Sequence, residues 1–322
     1  MGNGMEICIV GLVQSGKTTV FQALTRHGAG GASAYHVGVT KVPDPRLDTL
    51  AQMFQPQKVV LAEITYRDPL AEPAGREKGG GIGGQQLSLL QQADALLLVV
   101  RAFEDPSVPH PQGSVDPYRD LETMGMELAF SDLGILERRA QRIEASLKGA
   151  KPPQREALHR ELALLQRIRQ RLEGEAPLQQ APGTALRQQP PFDKPFGPPQ
   201  GKLRAPHDPE EERLLANYQL LTAKPLLALF NIGEELLPGT AGLEEELARR
   251  YDGPGVKTVA LCGKLEEELA ELEPEEEREF RASLGLEESG AARVVRRSYE
   301  LLGLVSFFTV VSREVRAWSV PR

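Results

Sequence analysis

Cysteine is scarce in this 322-residue sequence: Cys8 and Cys262 lie far apart, with no CxxC or Cys/His spacing around them. That excludes a disulfide framework. The five histidines, His27, His36, His110, His159 and His207, are too scattered to suggest a metal cluster. Long hydrophobic runs are missing too. The longest clean one, residues 95–100, falls far short of the roughly 20 residues that span a bilayer. The N-terminus has a strand-like stretch and no basic leader region, so neither export nor membrane insertion is expected. Excess positive charge is also lacking. Lys plus Arg number 38 against 45 Asp plus Glu, a formal charge of -7. This excludes a chain coated in base for wrapping DNA but leaves room for a local basic face. No internal repeat is apparent, and the expectation is a reduced, cytoplasmic protein.

What is present suffices for a sizeable core. Apolar residues make up 40% and charged residues 26%, which separates the chain from disordered sequences. Short apolar runs at Met5–Val10, Val59–Thr65, Ala95–Val100, Leu226–Phe230 and Val256–Leu261 read as buried parallel strands, with helical stretches between them. That rhythm predicts a doubly wound α/β domain. Between the third and fourth runs lie helical segments at Pro117–Leu147 and Gln154–Leu172. A leucine stripe at Leu158, Leu162, Leu165 and Leu172 predicts a two-helix arm inserted into the domain. Residues 174–209 carry nine prolines and few large apolar side chains, which predicts a flexible loop. Charge is uneven: residues 137–173 hold ten Lys/Arg against five Glu, whereas residues 234–288 hold 17 acids against six bases. The arm is basic and the body acidic.

The segment Gly11-Leu-Val-Gln-Ser-Gly16-Lys17-Thr18 fits G-x-x-x-x-G-K-[ST], with a strand before it and a helical pattern after it. Its glycines let the backbone N–H groups from Gln14 through Ser15, Gly16 and Lys17 to Thr18 curl around a β-phosphate, with the following helix pointing its positive end there. Lys17 is expected on the β- and γ-phosphates, Thr19 beside the loop, and the Thr18 hydroxyl on Mg²⁺. A second, acidic group on the metal side is wanted at a strand end. Asp68 is the candidate, followed by the glycines Gly79, Gly80, Gly81, Gly83 and Gly84, which would allow a mobile γ-phosphate sensor.

Together with Val42-Pro-Asp-Pro-Arg-Leu-Asp48, Asn231-Ile-Gly-Glu234 and Glu314-Val-Arg-Ala-Trp318, these residues give the sequence a pattern that resembles the YchF family, the Obg-like ATPase branch of the translation-factor class of P-loop GTPases. The resemblance rests on Gly11 to Thr18, Val42-Pro-Asp-Pro-Arg-Leu-Asp48, the Gly79–Gly83 run, residues 93–104, Asn231-Ile-Gly-Glu234, residues 269–279 and Glu314-Val-Arg-Ala-Trp318. It covers nearly the whole chain apart from the Pro-rich loop. It implies a Ras-like P-loop G domain with a mostly parallel sheet and an inserted helical hairpin. The expected division is 1–130 and 223–284 for the two parts of the G domain, 131–222 for the arm with its loop at 174–209, and 285–322 for a C-terminal extension. The resemblance also implies a C-terminal TGS domain, which this sequence does not contain, so the expectation is a divergent natural member or a shortened chain.

The family resembles Asn-x-x-Glu where GTPases read guanine with NKxD. Asn231 and Glu234 match that variant, with Cys262 and Gly263 along the base, so ATP is expected ahead of GTP. Departures fall on the switches. Ala71 stands where the family pattern has a glycine, and Glu72 either orients water or repels the γ-phosphate. The first switch is short, with Ser33 and Thr40 the nearest hydroxyls. Two functions follow. One is a slow Mg-dependent NTPase cleaving the β–γ bond, with Lys17 and Glu72 in the catalytic role and ribosome or RNA contact through the arm. The other is a nucleotide-binding interaction module with little hydrolysis. A small-molecule kinase is disfavoured by the PDPRLD and EVRAW stretches.

Overall fold

The computed structural model describes residues 5–26, 35–70, 82, 84–175, 209–286, 288–311 and 313–321. The expected switch residues Ala71 and Glu72, the glycines Gly79, Gly80, Gly81 and Gly83, Ser33, and the Pro-rich loop from 176 to 208 lie outside them. The chain divides into two compact units, one formed by Met1–Arg76, Ala93–Leu121 and Pro225–Arg322, the other by Glu77–Gln92 and Glu122–Lys224.

The first unit holds a six-stranded sheet. Its strands are β1 (Met5–Val10), β2 (Tyr35–Lys41), β4 (Glu63–Pro69), β5 (Ala95–Ala102), β6 (Leu226–Ile232) and β7 (Val256–Leu261). Their order is β2-β4-β1-β5-β6-β7. All neighbours are parallel except β2 and β4. Strands β1, β5, β6 and β7 are near-continuous apolar runs because both faces are covered, as crossover helices require, whereas β4 alternates. Ile7, Ile9, Leu97, Val99, Leu227, Leu229, Val259 and Leu261 share a core with Val20, Phe21 and Leu24 of α1 (Lys17–Thr25). Val294 and Val295 of a C-terminal helix complete it. On the other strand positions, Phe230 meets Tyr118 and Tyr251, whose rings lie 6.4 and 6.5 Å from its own. Cys8 is fully buried in β1, which pushes its thiol up to about 12, and Cys262 is buried too. Both are free.

Three sequence expectations change here. The run Val59–Thr65 is not one strand: it breaks into β3 (Lys58–Val60) and β4, and Asp68 sits inside β4 rather than after it. Strand β2 went unread because its alternation is interrupted by Gly38 and because only one of its edges is paired. The C-terminal segment forms α10 (Gly290–Leu301), β8 (Leu304–Val311) and β9 (Glu314–Pro321), and β9 pairs in parallel with β3. The result is a second, three-stranded sheet, β3-β9-β8.

The two motifs most specific to the resemblance serve this small sheet. Asp44 caps α2 (Pro45–Phe54), its carboxylate accepting from Arg46 N at 3.0 Å, while Pro45 presets the first helical turn. The Arg46 guanidinium, held by Asp44, lies 4.9 Å from the centre of the Phe308 ring on β8. EVRAW is the first half of β9.

Three further helices complete this unit: α7 (Thr240–Tyr251), α8 (Gly263–Ala270) and α9 (Pro274–Ser283). Glu266, in the first turn of α8, ties that helix to the last turn of α9 and to the start of α10. It accepts from Arg281 Nη1 and Nη2 at 2.8 and 2.7 Å and from the backbone N–H of Gly290 at 2.8 Å. Burial would push the Glu266 carboxyl up, but the Arg281 guanidinium and the Gly290 and Ala291 N–H groups outweigh it and hold the carboxyl below the ordinary glutamate range.

The second unit is helical: α3 (Gly84–Gln92), most of α4 (Pro117–Leu147), α5 (Pro152–Glu175) and α6 (Pro209–Ala216). Leu136 and Ile143 of α4 pack with Leu164, Leu165, Ile168 and Leu172 of α5. Of the expected stripe, Leu165 and Leu172 are buried, and Leu158 and Leu162 flank the core. Arg139 and Glu161 form a two-pronged ion pair across the helices at 2.8 and 3.0 Å, with the Tyr218 hydroxyl also on Glu161. The buried Asp132 carboxylate collects Leu221 N, Thr222 N and Thr222 Oγ1 at 2.7, 2.8 and 2.6 Å. No described helix is long and apolar enough to cross a membrane.

Candidate functional site

The loop after β1 turns on two glycines. A side chain at Gly11 would put its Cβ 2.4 Å from the Val99 carbonyl oxygen. Gly16 has φ 88° and a Cβ there would meet Asn231 Nδ2 at 2.2 Å, so only glycine lets the loop close against β6 and start α1. Gln14, between them, also has positive φ. Lys17 opens α1, and its ammonium donates to the Gly11 and Leu12 carbonyls at 3.1 and 2.8 Å. Burial lowers the Lys17 pKa, opposed by the charge of Asp68. Ser15 is buried, and its Oγ has no hydrogen-bond partner among the described residues.

Next along α1, Thr18 Oγ1 donates to Asp68 Oδ2 at 3.1 Å. Asp68 is buried near the end of β4, which pushes its carboxyl up, with the Thr18 hydroxyl, His36 and Lys17 opposing. Its other oxygen, Oδ1, has no partner among the described residues. His36 lies opposite Asp68 in the β2–β4 register, Nδ1 to Oδ2 at 3.6 Å. Thr40 is one of the two hydroxyls nearest the short first switch. Its Oγ1 donates to Leu24 O at 2.7 Å, so it fastens β2 to α1.

Asn231, at the end of β6, joins the two halves of the site. Its Nδ2 donates to Ser15 O at 3.1 Å and its Oδ1 accepts from Gly263 N at 3.0 Å. One buried amide therefore fixes both the phosphate-binding loop and the start of α8. A cavity of about 620 Å³ opens beside it, its lining including Gln14, Gly16, Thr19, Glu234, Cys262 and Lys264. Of the expected residues, Gln14, Gly16, Thr19, Asn231, Glu234 and Cys262 line the cavity, Lys17, Thr18 and Asp68 lie close to one another, and Ser15 and Gly263 do not line it. Gly11 lies within the turn and lines no part of the cavity.

The sequence reading missed Phe103, Lys264 and His36. Phe103 stood inside the quoted 93–104 stretch without a role; it lines the cavity, and Arg101 lies over its ring at 4.5 Å. Lys264 follows Gly263 directly, so a helix beginning there could have revealed it. His36 gave no sequence signal, because only antiparallel pairing brings it to Asp68. Among the described residues no three His, Cys, Asp or Glu side chains cluster to hold a metal by themselves.

Asn231→Ala should cost about 2–3 kcal/mol, because Ser15 O and Gly263 N are left buried without partners. Urea unfolding of the variant measures this. Asn231→Asp should be no milder, since it turns a second acceptor toward Ser15 O.

No family model matches the sequence. Curated relatives do match. The chain is 34% identical to the ribosome-binding ATPase YchF of Bacillus subtilis (strain 168), over 98% of this chain and 80% of that one. It is 34% identical to that of Haemophilus influenzae, over 98% and 81%, and 34% identical to that of Escherichia coli O157:H7, over 99% and 81%. Among solved structures, the Schizosaccharomyces pombe YchF GTPase superposes with TM-score 0.76 at 26% identity, covering all of this chain and 82% of that one.

Proposed function

The chain belongs to the YchF family, and from that premise we propose that it binds Mg²⁺·ATP and slowly hydrolyses the β–γ bond in the cytoplasm, in contact with the ribosome. The observation that carries this is the Asn231 amide, which locks a phosphate-binding loop to a cavity of nucleoside size. Gly11 to Thr19 would wrap the phosphates, and the α1 N-terminus would add its positive end. Asn231, Glu234, Cys262 and Gly263 would border the base. The bacterial relatives are named ATPases, which supports ATP over GTP.

Mg²⁺ fits the donors present: the Thr18 hydroxyl and the Asp68 carboxylate are hard oxygen ligands, and Asp68 Oδ1 is a buried acceptor with no partner among the described residues. When bound, the ion neutralises charge on the β- and γ-phosphate oxygens. Lys17 supplies the second positive charge, and Glu72 is the candidate water-facing group. The ribosome contact is proposed for the arm, 131–222: nine of its ten basic side chains between 137 and 173, all but Arg139, are exposed. The relatives named ribosome-binding support it. The remaining division, 1–130 and 223–284 for the G domain and 285–322 beyond it, is proposed alongside.

Isothermal titration with ATP and GTP, paired with phosphate release against a Lys17→Ala control, tests the reading. ATP should bind at least tenfold tighter than GTP, a difference of about 1.4 kcal/mol, and release should exceed the control. Tight binding with release no higher than the control would select the interaction module instead, as the sequence at Ala71 and Glu72 allows. Failure to bind either nucleotide would sink both.

A further inference from the structure

Beside Thr18 and Lys17, two buried polar atoms have no hydrogen-bond partner among the described residues: Asp68 Oδ1 and His36 Nδ1. Leaving a buried polar atom unpaired is unfavourable, so the arrangement calls for a ligand. His36 is not a hydrogen-bond donor to Asp68, because 3.6 Å between Nδ1 and Oδ2 is beyond hydrogen-bond reach. Its ring is fixed all the same: the antiparallel register sets it opposite Asp68, and the Phe21 ring centre lies 5.8 Å from its own.

The spacings suit a shared cation. Adjacent donors on one six-coordinate ion with bonds of ~2.1 Å sit about 3 Å apart. Here Thr18 Oγ1 and His36 Nδ1 lie 3.1 and 3.6 Å from Asp68 Oδ2. The set is two oxygens and one imidazole nitrogen. Mg²⁺ keeps to oxygen ligands, whereas first-row transition ions accept imidazole.

We propose that His36 is a third protein donor to the divalent ion at the Thr18–Asp68 site, giving this site a preference for nitrogen-accepting ions of the Mn²⁺ kind over Mg²⁺. The inference rests on the nucleotide reading above and narrows its metal. Nucleotide phosphates would complete the coordination, and Lys17 would stand on the phosphate side.

The full chain loaded with ADP is titrated with Mn²⁺ and with Mg²⁺, and Mn²⁺ is followed by electron paramagnetic resonance. The Mn²⁺ over Mg²⁺ preference should exceed that of free ADP at least tenfold. Protein labelled with ¹⁵N only at histidine should show a nitrogen coupling to bound Mn²⁺, which separates imidazole from the nitrogens of the adenine. His36→Asn and His36→Gln should each abolish that coupling and weaken Mn²⁺ about tenfold while changing Mg²⁺ less than twofold. Melting of the metal-free variants alongside the parent reports whether they fold. Absence of the ¹⁵N coupling in the parent protein, or equal weakening of both ions in folded variants, overturns the proposal and leaves nucleotide binding intact. Failure of ADP to bind overturns the phosphate site itself and this proposal with it.

Discussion

Glu266→Ala is expected to destabilise the first unit by about 3–4 kcal/mol, because it strips a buried guanidinium of its main partner and orphans backbone N–H groups together. Glu266 and Arg281 are 6% and 8% exposed, too deep for water to replace the lost carboxylate. Glu277 remains on Arg281, with Nε and Nη2 at 3.1 and 3.0 Å from its Oε1, and keeps the loss from being larger. For a unit of this size the loss should lower Tm by roughly 6–16 °C. The same contact carries a pH signature. Because Glu266 is held below its ordinary value of 4.5 in the fold, its contribution is full above that value and fades as pH falls through and beneath it. Glu266→Ala should therefore flatten the acid limb of a stability–pH curve measured by urea unfolding. An unchanged acid limb would assign the acid sensitivity elsewhere. Arg26–Glu277, with the arginine half-exposed, should contribute under about 1 kcal/mol.

Lys17→Ala should weaken ATP binding by roughly 10- to 150-fold, the equivalent of about 1.5–3 kcal/mol for charged hydrogen bonds. Stability should change little by comparison. The ammonium is held on its own loop through the Gly11 and Leu12 carbonyls, so it is preplaced and needs no large rearrangement to meet a phosphate. Arginine should not rescue it, because a planar fork cannot fit where a compact ammonium is cradled by carbonyls one residue apart. Titration calorimetry with ATP is the measurement. A loss under threefold would place the phosphates away from this loop.

The sequence made the central strands legible because a parallel sheet covered on both faces must be written as unbroken apolar runs. It made the phosphate-binding loop legible because backbone curvature there demands glycine at fixed positions. Edge elements were harder. Strand β2 alternates weakly around Gly38, and β3 is three residues long; neither satisfies a periodicity test on its own. The strands β8 and β9 were hidden in a segment read as an extension, although Phe307 and Trp318 stack across them at 6.3 Å. Within the site, the residues of one contiguous loop were readable. Asp68 was found by asking what chemistry lacked, and His36 was not found because its role exists only through pairing between strands. PDPRLD and EVRAW were recognised for their specificity, yet neither lines the cavity: together they build the small sheet.

That small sheet makes the assembly of the chain a problem of time. Lys58 pairs with Glu314, so β3 is translated some 250 residues before its neighbour. Closing so long a loop adds little to the equilibrium cost, because that entropy grows only with the logarithm of length, but non-local pairing slows the search for it. During synthesis β3 must wait unpaired while β1, β4 and β5 already have partners. The exposed edge of β3 is therefore a hazard for as long as translation lasts.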